Sequence, residues 1–356
     1  MKNKLLVSSA LVSGMILSGS AIAQTTITGS LNLDYRAVGK TTTVNSAHGF
    51  GREAQINVQN KGKLNNGFDY AAGFALEFDG TYGDVTTDGS NASSISNENT
   101  YIDFIYGNTT LSFGIDHMPN ATNNIAPTAS YNQADNVAGL SNTLTGKSGG
   151  AAKYTNTGGA NPKEAIGVGI IQNIPGIATV SALFVPQNGD TGAHDTRYIV
   201  DKAGRESAYE VGISGGFGVT GLTARYFYNK EDNNSAGTVR DASGREGKIY
   251  GAVYNMGQFA IGADRFVTKA TTNLETVSNN YGISYAVDKN LAVSVNRARS
   301  STEGTVAGQD ETVWQYGIGY NLGPVSVSAD YTKVNNLSYS LTENAKMFGL
   351  HLATKF

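Results

Sequence analysis

The sequence predicts an all-β protein, folded as a 16-stranded antiparallel transmembrane β-barrel. Three observations lead to this class. Apolar and polar residues alternate with a period of two over most of the chain, as they do along strands that place one face in an apolar environment. The connections between these stretches are alternately short and long. The composition, with 44 glycines, 19 tyrosines and only 6 prolines, is typical of many strands and many turns.

The first residues have the layout of a secretory signal peptide. Lys2 and Lys4 precede an apolar run over residues 5–17, and Ala21-Ile22-Ala23 is a small-x-small cleavage site. A membrane anchor is the alternative, but the run is shorter than the ~20 residues that a spanning helix needs. We therefore expect residues 1–23 to be removed and the mature chain, residues 24–356, to be exported.

Charge, cysteine content and motifs limit the kinds of partner and cofactor that the sequence leads us to expect. The chain has no cysteine, so its stability outside the cytoplasm must come from a source other than disulfides. The formal net charge is −3, and the loss of Lys2 and Lys4 takes the mature chain to −5. There is no basic stripe, so nucleic acid is not an expected partner. The sequence contains no HExxH motif, and we expect no cofactor.

The strand pattern is clear at both ends of the mature chain. The apolar face of the first strand is formed by Ile27, Leu31, Leu33 and Tyr35. The chain closes with KMFGLHLATKF, whose apolar face is formed by Phe348, Leu350, Leu352 and Phe356. A loose tail would not alternate in this way, so we interpret the final segment as a strand that closes a barrel against the first one.

One connection stands apart from the others. The alternation stops after Asp116 and resumes firmly only at Ile166, which leaves a long connection between the fifth and sixth strands. Beyond it, short turns and long polar loops alternate strictly to the end of the chain. The count is sixteen strands, and an even number places both termini at the short-turn end, as in bacterial outer-membrane barrels.

A soluble β-sandwich also alternates, and three features favour a membrane barrel over it. Carboxylates occur in mid-strand on the face opposite the apolar one, where a barrel lumen would keep them solvated. Aromatic residues lie near both ends of the predicted strands, as the two membrane interfaces require. An open sheet edge is not tolerated in hydrocarbon, so the first and last strands must meet. The mid-strand carboxylates are Asp34, Asp69, Asp103, Asp264 and Asp330.

The cleavage site, the first strand ITGSLNLDYRA, the long third loop and the terminal FGLHLATKF together resemble the general diffusion porins of Gram-negative bacteria. The short, glycine-rich and tyrosine-rich strands are most similar to the porins of α-proteobacteria. The resemblance implies a homotrimer in the outer membrane, in contact with its lipid. It implies that residues 118–150 fold into the barrel as a constriction loop. It also implies that the outer-membrane assembly machinery reads the ladder Phe348, Leu350, Leu352 and Phe356.

Strand parity identifies the residues that should line the pore. On the inner face we place Asp34, Arg36, Glu53, Asp69, Glu77, Asp103, Asp116, Arg225, Asp264 and Asp330, and on the long connection Asp135 and Lys147. Arg52 lies at a predicted strand end, from which we expect that it can turn inward. Since carboxylates outnumber guanidinium groups here, the sequence predicts a water-filled channel for small hydrophilic solutes and ions with a weak preference for cations.

Two alternatives remain open. A channel specific for sugars would line its path with aromatics, for which Tyr131 and Phe227 are the inward candidates, and a phosphate channel would need an arginine-rich path that is missing. A barrel enzyme would need a Ser or Asp beside a histidine near the outer rim. The four histidines, His48, His117, His194 and His351, are scattered along the sequence.

Overall fold

The computed structural model describes residues 23–39, 47–82, 93–115, 117, 166–186, 207–231, 245–269, 274–303 and 309–356. These residues form sixteen strands that close into one antiparallel barrel in chain order, which confirms the predicted fold class. A 3₁₀ helix, Leu337–Tyr339, lies between the last two strands. Within these ranges no helix is long and apolar enough to cross a bilayer.

The strands are β1 (Gln24–Val38), β2 (Ala47–Lys63), β3 (Asp69–Tyr82), β4 (Ser93–Tyr106), β5 (Thr109–Gly114), β6 (Gly167–Ile174), β7 (Ala178–Val185), β8 (Ala208–Gly215), β9 (Leu222–Glu231), β10 (Arg245–Met256), β11 (Phe259–Lys269), β12 (Glu275–Ala286), β13 (Leu291–Thr302), β14 (Glu311–Asn321), β15 (Val325–Asn335) and β16 (Asn344–Lys355). The two ends of the barrel are called the short-turn end and the long-connection end. Both β1 and β16 have their chain terminus at the short-turn end, as the even strand count predicts.

The barrel closes where β1 pairs with β16. The register runs from Ser30 opposite Lys355 to Val38 opposite Met347. Beyond it, the Gly29 N–H donates to the Phe356 carbonyl at 2.7 Å, and the Phe356 N–H donates to the Gly29 carbonyl at 3.0 Å. The closing strand is therefore confirmed, and it is hydrogen-bonded to its final residue. Over residues 29–38 the edge of β1 is therefore paired, as hydrocarbon surroundings require.

The outer surface is apolar in the way that the alternation predicts. Phe348, Leu350 and Leu352 are each more than 40% exposed, and Phe356 is 73% exposed. Among the exposed tyrosines, Tyr106, Tyr254 and Tyr320 lie near the short-turn ends of their strands, whereas Tyr250, Tyr281 and Tyr331 lie near the middle of theirs. An apolar outer band with aromatic side chains at the short-turn rim matches one interface of a bilayer.

Two arginines share the outer face with these apolar residues. Arg265 and Arg297 are exposed, and the register of their strands continues past them without a shift. The Arg297 guanidinium lies over the Trp314 ring, 5.4 Å from its centroid. Long cationic side chains at such positions extend along the surface so that their charge reaches water. A cation–π contact adds to this for Arg297.

The short turns use the residues that tight turns require. Gly107 and Gly257, which open the two-residue turns before β5 and β11, have φ angles of 55° and 60°, a region that glycine adopts without strain. In the turn before β13, the Asp288 carboxylate accepts hydrogen bonds from the backbone N–H groups of Asn290, at 2.6 Å, and Leu291, at 2.9 Å. These bonds lower the pKa of Asp288 below its ordinary value.

The predicted signal peptide, except for its last residue, and the predicted constriction loop, residues 118–150, lie outside the described residues.

Candidate functional site in the barrel interior

Strand pairing decides which predicted residues share the inner face. Asp34 lies opposite His351 on one side and Gly51 on the other, and Asn32 lies opposite Glu53. Seven carboxylates within the described strands are buried on this face: Asp34, Glu77, Asp103, Glu210, Asp264, Glu311 and Asp330. The expectation of solvation is therefore wrong for Asp34, Asp103, Asp264 and Asp330, whereas Asp69 is exposed. Each of the seven buried carboxylates is covered by neighbouring protein atoms, so burial makes its hydrogen-bond partners decisive.

The most enclosed cluster surrounds His351, which is 1% exposed. Its Nδ1 atom is 3.0 Å from Asp34 Oδ1, and its Nε2 atom is 2.7 Å from Asp330 Oδ1. Because both ring nitrogens face carboxylate oxygens, a protonated imidazolium donates to both aspartates at once. The cluster therefore connects β1, β16 and β15 by side chains across the seam where the barrel closes.

Further polar groups complete this cluster. Gln315 Nε2 and Thr332 Oγ1 donate to Asp330 Oδ2 at 3.2 Å and 3.1 Å. A nitrogen of the Arg36 guanidinium is 3.9 Å from Asp34 Oδ2. Gly349 leaves room for the contact, since a Cβ atom there would stand 2.6 Å from His351 Nε2 and 2.8 Å from Asp330 Oδ1. The cluster thus depends on a glycine in β16 as well as on its charged members.

A second cluster joins β9, β11 and β12. Arg225 donates to Asp264 Oδ2 at 3.1 Å, and Asn280 donates to Asp264 Oδ1 at 2.7 Å. The guanidinium also lies 5.8 Å from the centroid of the Phe266 ring. Gly251 of β10 lies between the partners, opposite Arg225 on one side and Asp264 on the other. The absence of a side chain at Gly251 lets the ion pair span an intervening strand.

The wall formed by β1, β2 and β3 carries carboxylates among amides. Asn32 Nδ2 donates to Glu53 Oε1 at 3.3 Å, and Gln55 Nε2 donates to Glu77 Oε2 at 3.4 Å. Asn57 donates to Gln55 Oε1 at 3.3 Å. Two carboxylates of this wall, Glu53 and Glu77, therefore accept hydrogen bonds from side-chain amides.

An aromatic stack marks the point where the long connection leaves the wall. The rings of Tyr101 and His117 are 3.4 Å apart and nearly parallel, at 4°. His117 Nε2 is 2.9 Å from Asp103 Oδ2, and Gln59 Nε2 hydrogen-bonds the Tyr101 hydroxyl. Sequence reasoning missed Tyr101 as an inward residue. Tyr101 lies two positions from Asp103 in β4, so strand alternation already places the two side chains on the same, inner face.

Other predicted residues are placed differently. Asp69 lies at the short-turn end of β3, half exposed, and forms an ion pair of 3.5 Å with Lys63. Arg52 is exposed on the outer face opposite Leu33, well inside β2, so the prediction that it lies at a strand end and turns inward is wrong. The reason is that β2 begins at Ala47, and strand alternation then fixes the direction of Arg52. Asp116, Asp135 and Lys147 lie outside the described residues.

Apolar residues also face inward, mainly towards the long-connection end. Phe227, the predicted inward aromatic, is 5% exposed and packs with Ile249 and Phe266. A second group consists of Leu183, Val185 and Ala208. Sequence reasoning also missed Glu210, to which Asn229 donates at 2.9 Å, and Glu311. The inner wall is therefore partly a packed core rather than a uniform polar surface.

The comparisons with known proteins agree with this architecture. The family model described as Gram-negative porin matches residues 8–350. The anion-selective porin from Comamonas acidovorans has a TM-score of 0.63 at 14% identity, covering 94% of this chain and 100% of that chain. Salmonella typhi OmpF, in complex with daunomycin, has a TM-score of 0.61 at 15% identity, covering 93% and 97%. A triple mutant of Rhodopseudomonas blastica porin has a TM-score of 0.56 at 13% identity, covering 94% and 100%.

No curated protein sequence matches the chain. At identities of 13–15% the solved structures establish the fold alone. The family model covers nearly the whole sequence, however, and the closed sixteen-stranded barrel of this chain superposes on solved porins over 93–94% of its length. The chain therefore belongs to the Gram-negative porin family and is a channel protein of the Gram-negative outer membrane.

Proposed function

We propose that this barrel is a water-filled channel for the passive diffusion of small hydrophilic solutes and ions. The observation that carries the proposal is a closed barrel of sixteen strands whose inner wall bears charged side chains from at least eight of them. A barrel of this strand number is too wide for its own side chains to fill, and it leaves an aqueous path.

Diffusion through such a path is tested with the purified protein in liposomes. Swelling in neutral sugars should be fastest for the smallest sugar, should fall smoothly with size, and should not saturate with concentration. A rate that saturates, or that favours one sugar over others of its size, would instead support a substrate-specific channel. The two aromatic candidates for such a path do not favour it, because Phe227 is buried and Tyr131 lies outside the described residues.

We propose a weak preference for cations. On the described inner wall, seven buried carboxylates outnumber the basic groups packed among them, which are Arg36, Arg225, His117 and His351. Carboxylates along a pore favour cations. The Comamonas acidovorans porin is described as anion-selective, so the sign of the selectivity does not follow from the shared fold.

The cation preference is tested by the reversal potential across a planar bilayer with a KCl gradient. The wild type should give the sign of a cation-preferring pore, and the pair Glu53→Gln with Glu77→Gln should move the potential towards zero because two wall charges are removed. Asp288→Asn, in the exposed turn before β13, is the matched control and should leave the potential unchanged. A wild-type potential of anionic sign would contradict the proposal.

We propose that His351 and His117 serve structure rather than catalysis. Both ring nitrogens of His351 face carboxylate oxygens, so neither is placed to activate a nucleophile. His117 is stacked on Tyr101 and faces Asp103 within the lumen, not at the outer rim.

We propose a homotrimer in the outer membrane, on the basis of family membership. Ala37, Ala54 and Ala72 present small side chains on the outer face of β1, β2 and β3, which suits close packing of two barrels. Gly29 is not part of this surface, because the Phe356 ring of the same chain covers it. Mass measurement of the detergent-solubilised protein tests the stoichiometry.

We propose that the outward ladder Phe348, Leu350, Leu352 and Phe356 is read by the outer-membrane assembly machinery. Phe356→Ala keeps the backbone bonds to Gly29 but removes an exposed ring, so we expect less folded barrel in the outer membrane and unchanged synthesis. Phe259→Ala removes another exposed ring near the short-turn end and should have little effect. The readout is the amount of heat-modifiable protein in outer-membrane fractions. Equal amounts for the two variants would argue against a role of Phe356 as a signal.

A further inference from the structure

The connection between β15 and β16, residues 336–343, lies against the inner wall instead of extending away from the barrel. Its Leu337 side chain is 2% exposed and belongs to one contiguous apolar cluster. The other members of the cluster are Val38, Ala298, Val313, Val334, Ala345 and Met347. All six lie on the inner face near the long-connection ends of five adjacent strands, β13, β14, β15, β16 and β1.

Polar contacts hold the same segment to the wall. The Tyr339 hydroxyl is 2.8 Å from Ser300 Oγ, and Ser300 is a fully buried residue of β13. Asn336 Nδ2 donates to the Asp310 carbonyl at 3.0 Å, at the start of β14. The Leu337 N–H donates to the Glu343 carbonyl at 2.9 Å and closes the base of the segment. The chain thus leaves β15, crosses the inner side of β14 and reaches β13 before it returns to β16.

The backbone of the segment is bent at two places. Asn336 and Tyr339 have φ angles of 53° and 62°, in the left-handed region. Asparagine adopts this region readily, but a tyrosine does so only when its surroundings hold it there. The bond between Tyr339 and Ser300 and the burial of Leu337 are the contacts that stabilise this conformation.

We propose that residues 336–343 form a constriction at the outer mouth of the channel, in which Leu337 is the apolar anchor and Tyr339 the polar tie, and that these two residues set the largest solute that enters. The inference rests on the proposed channel function. It concerns the side of the barrel that lies across from β5 and β6, and so differs from the constriction expected of residues 118–150. The apolar patch on the inner wall of β13, β14, β15, β16 and β1 then serves to hold the segment in place.

The chain offers a matched pair of leucines for the test. Leu337 is buried and Leu341, in the same segment, is 58% exposed. Leu337→Asn places a polar amide in the apolar cluster and should release the segment. In liposome swelling, its size limit should shift to larger sugars, while Leu341→Asn should match the wild type. Tyr339→Phe, which loses only the hydroxyl bond to Ser300, should shift the limit in the same direction by less.

Thiol labelling adds a readout that does not require transport, because the natural chain has no cysteine. In the folded protein, a membrane-impermeant maleimide should label Leu337→Cys at least about tenfold more slowly than Leu341→Cys, since protection reports the closed state of the segment. This measurement decides the question if Leu337→Asn fails to assemble.

The outcomes separate the two proposals. Equal labelling at both positions, or a wild-type size limit in Leu337→Asn and Tyr339→Phe, would overturn the constriction while leaving the channel intact. A wild type that conducts no solute at all would contradict the channel function itself, whereas slow labelling of Leu337→Cys would still support an inward-folded segment.

Discussion

Replacement of His351 by leucine is expected to lower the free energy of unfolding by about 3–5 kcal/mol, the usual cost of removing one partner from a buried charge cluster. Leucine has a similar volume but leaves two carboxylates, Asp34 and Asp330, buried without the ring that lies between them. Their mutual repulsion then acts across the seam between β1 and β16. We therefore expect the closure of the barrel, rather than a distant strand, to weaken first.

The measurement for His351→Leu is urea unfolding of the barrel in lipid vesicles, followed by tryptophan fluorescence, since the single Trp314 lies in β14 beside the cluster's strands. His48→Leu is the control, because His48 is exposed near the long-connection end of β2 and should tolerate the change. A triple variant, with Asp34→Asn and Asp330→Asn added to His351→Leu, should recover part of the loss. Equal stability of the His351 and His48 variants would contradict the structural role of the cluster.

The substitution Gly251→Leu is expected to cost about 3 kcal/mol or more, since it combines overpacking with the loss of a buried ion pair. A Cβ atom at Gly251 would stand 2.3 Å from Asp264 Cβ and 2.5 Å from the Ala263 carbonyl oxygen. The larger part of the leucine side chain would then enter the space that Arg225 crosses to reach Asp264. Both β10 and the ion pair must shift to accommodate it.

The control for this variant is Gly39→Leu. A Cβ atom at Gly39 has its nearest neighbour at 3.6 Å, an ordinary contact, and the residue is exposed. The yield of folded barrel and the urea midpoint are compared for the two variants. A Gly251→Leu protein as stable as Gly39→Leu would show that β10 does not need a glycine beneath the ion pair.

The strand pattern could be predicted because membrane barrels impose a strict alternation. The final strand is the clearest case, since Phe348, Leu350 and Leu352 face outward as their spacing predicts. The same parity identified Asp34, Asp264 and Asp330 as inward residues before any pairing was known. Alternation requires only local sequence, and this is why the fold and the face of most residues follow from it.

The partners of the inward residues could not be predicted, because they depend on register. Asp34 and His351 are 317 positions apart in sequence and meet only when the barrel closes. Arg225 and Asp264 lie on either side of β10, and they reach each other only because the residue between them, Gly251, has no side chain. A glycine in the sequence does not by itself indicate an ion pair. The burial of Leu337 is a similar case, since it lies in a connection where alternation makes no prediction.

The error at Arg52 has a related cause. The prediction placed it at a strand end, where a side chain can turn either way, but β2 extends five residues further towards the long-connection end, to Ala47. Parity then decides its direction, and Arg52 faces outward with Leu33. The ends of strands are the least reliable feature that a sequence pattern predicts. Errors are therefore most frequent for residues such as Arg52, whose predicted direction depends on where a strand ends.

The most direct test of the channel is the single-channel conductance of the purified wild type in a planar bilayer, measured over a wide range of KCl concentration. A water-filled pore through this barrel predicts stable open steps whose conductance rises nearly in proportion to the salt concentration. The homotrimer predicts that the steps appear in threes. Absence of steps, or a conductance that saturates at low salt as it does when ions occupy a tight binding site, would contradict the account.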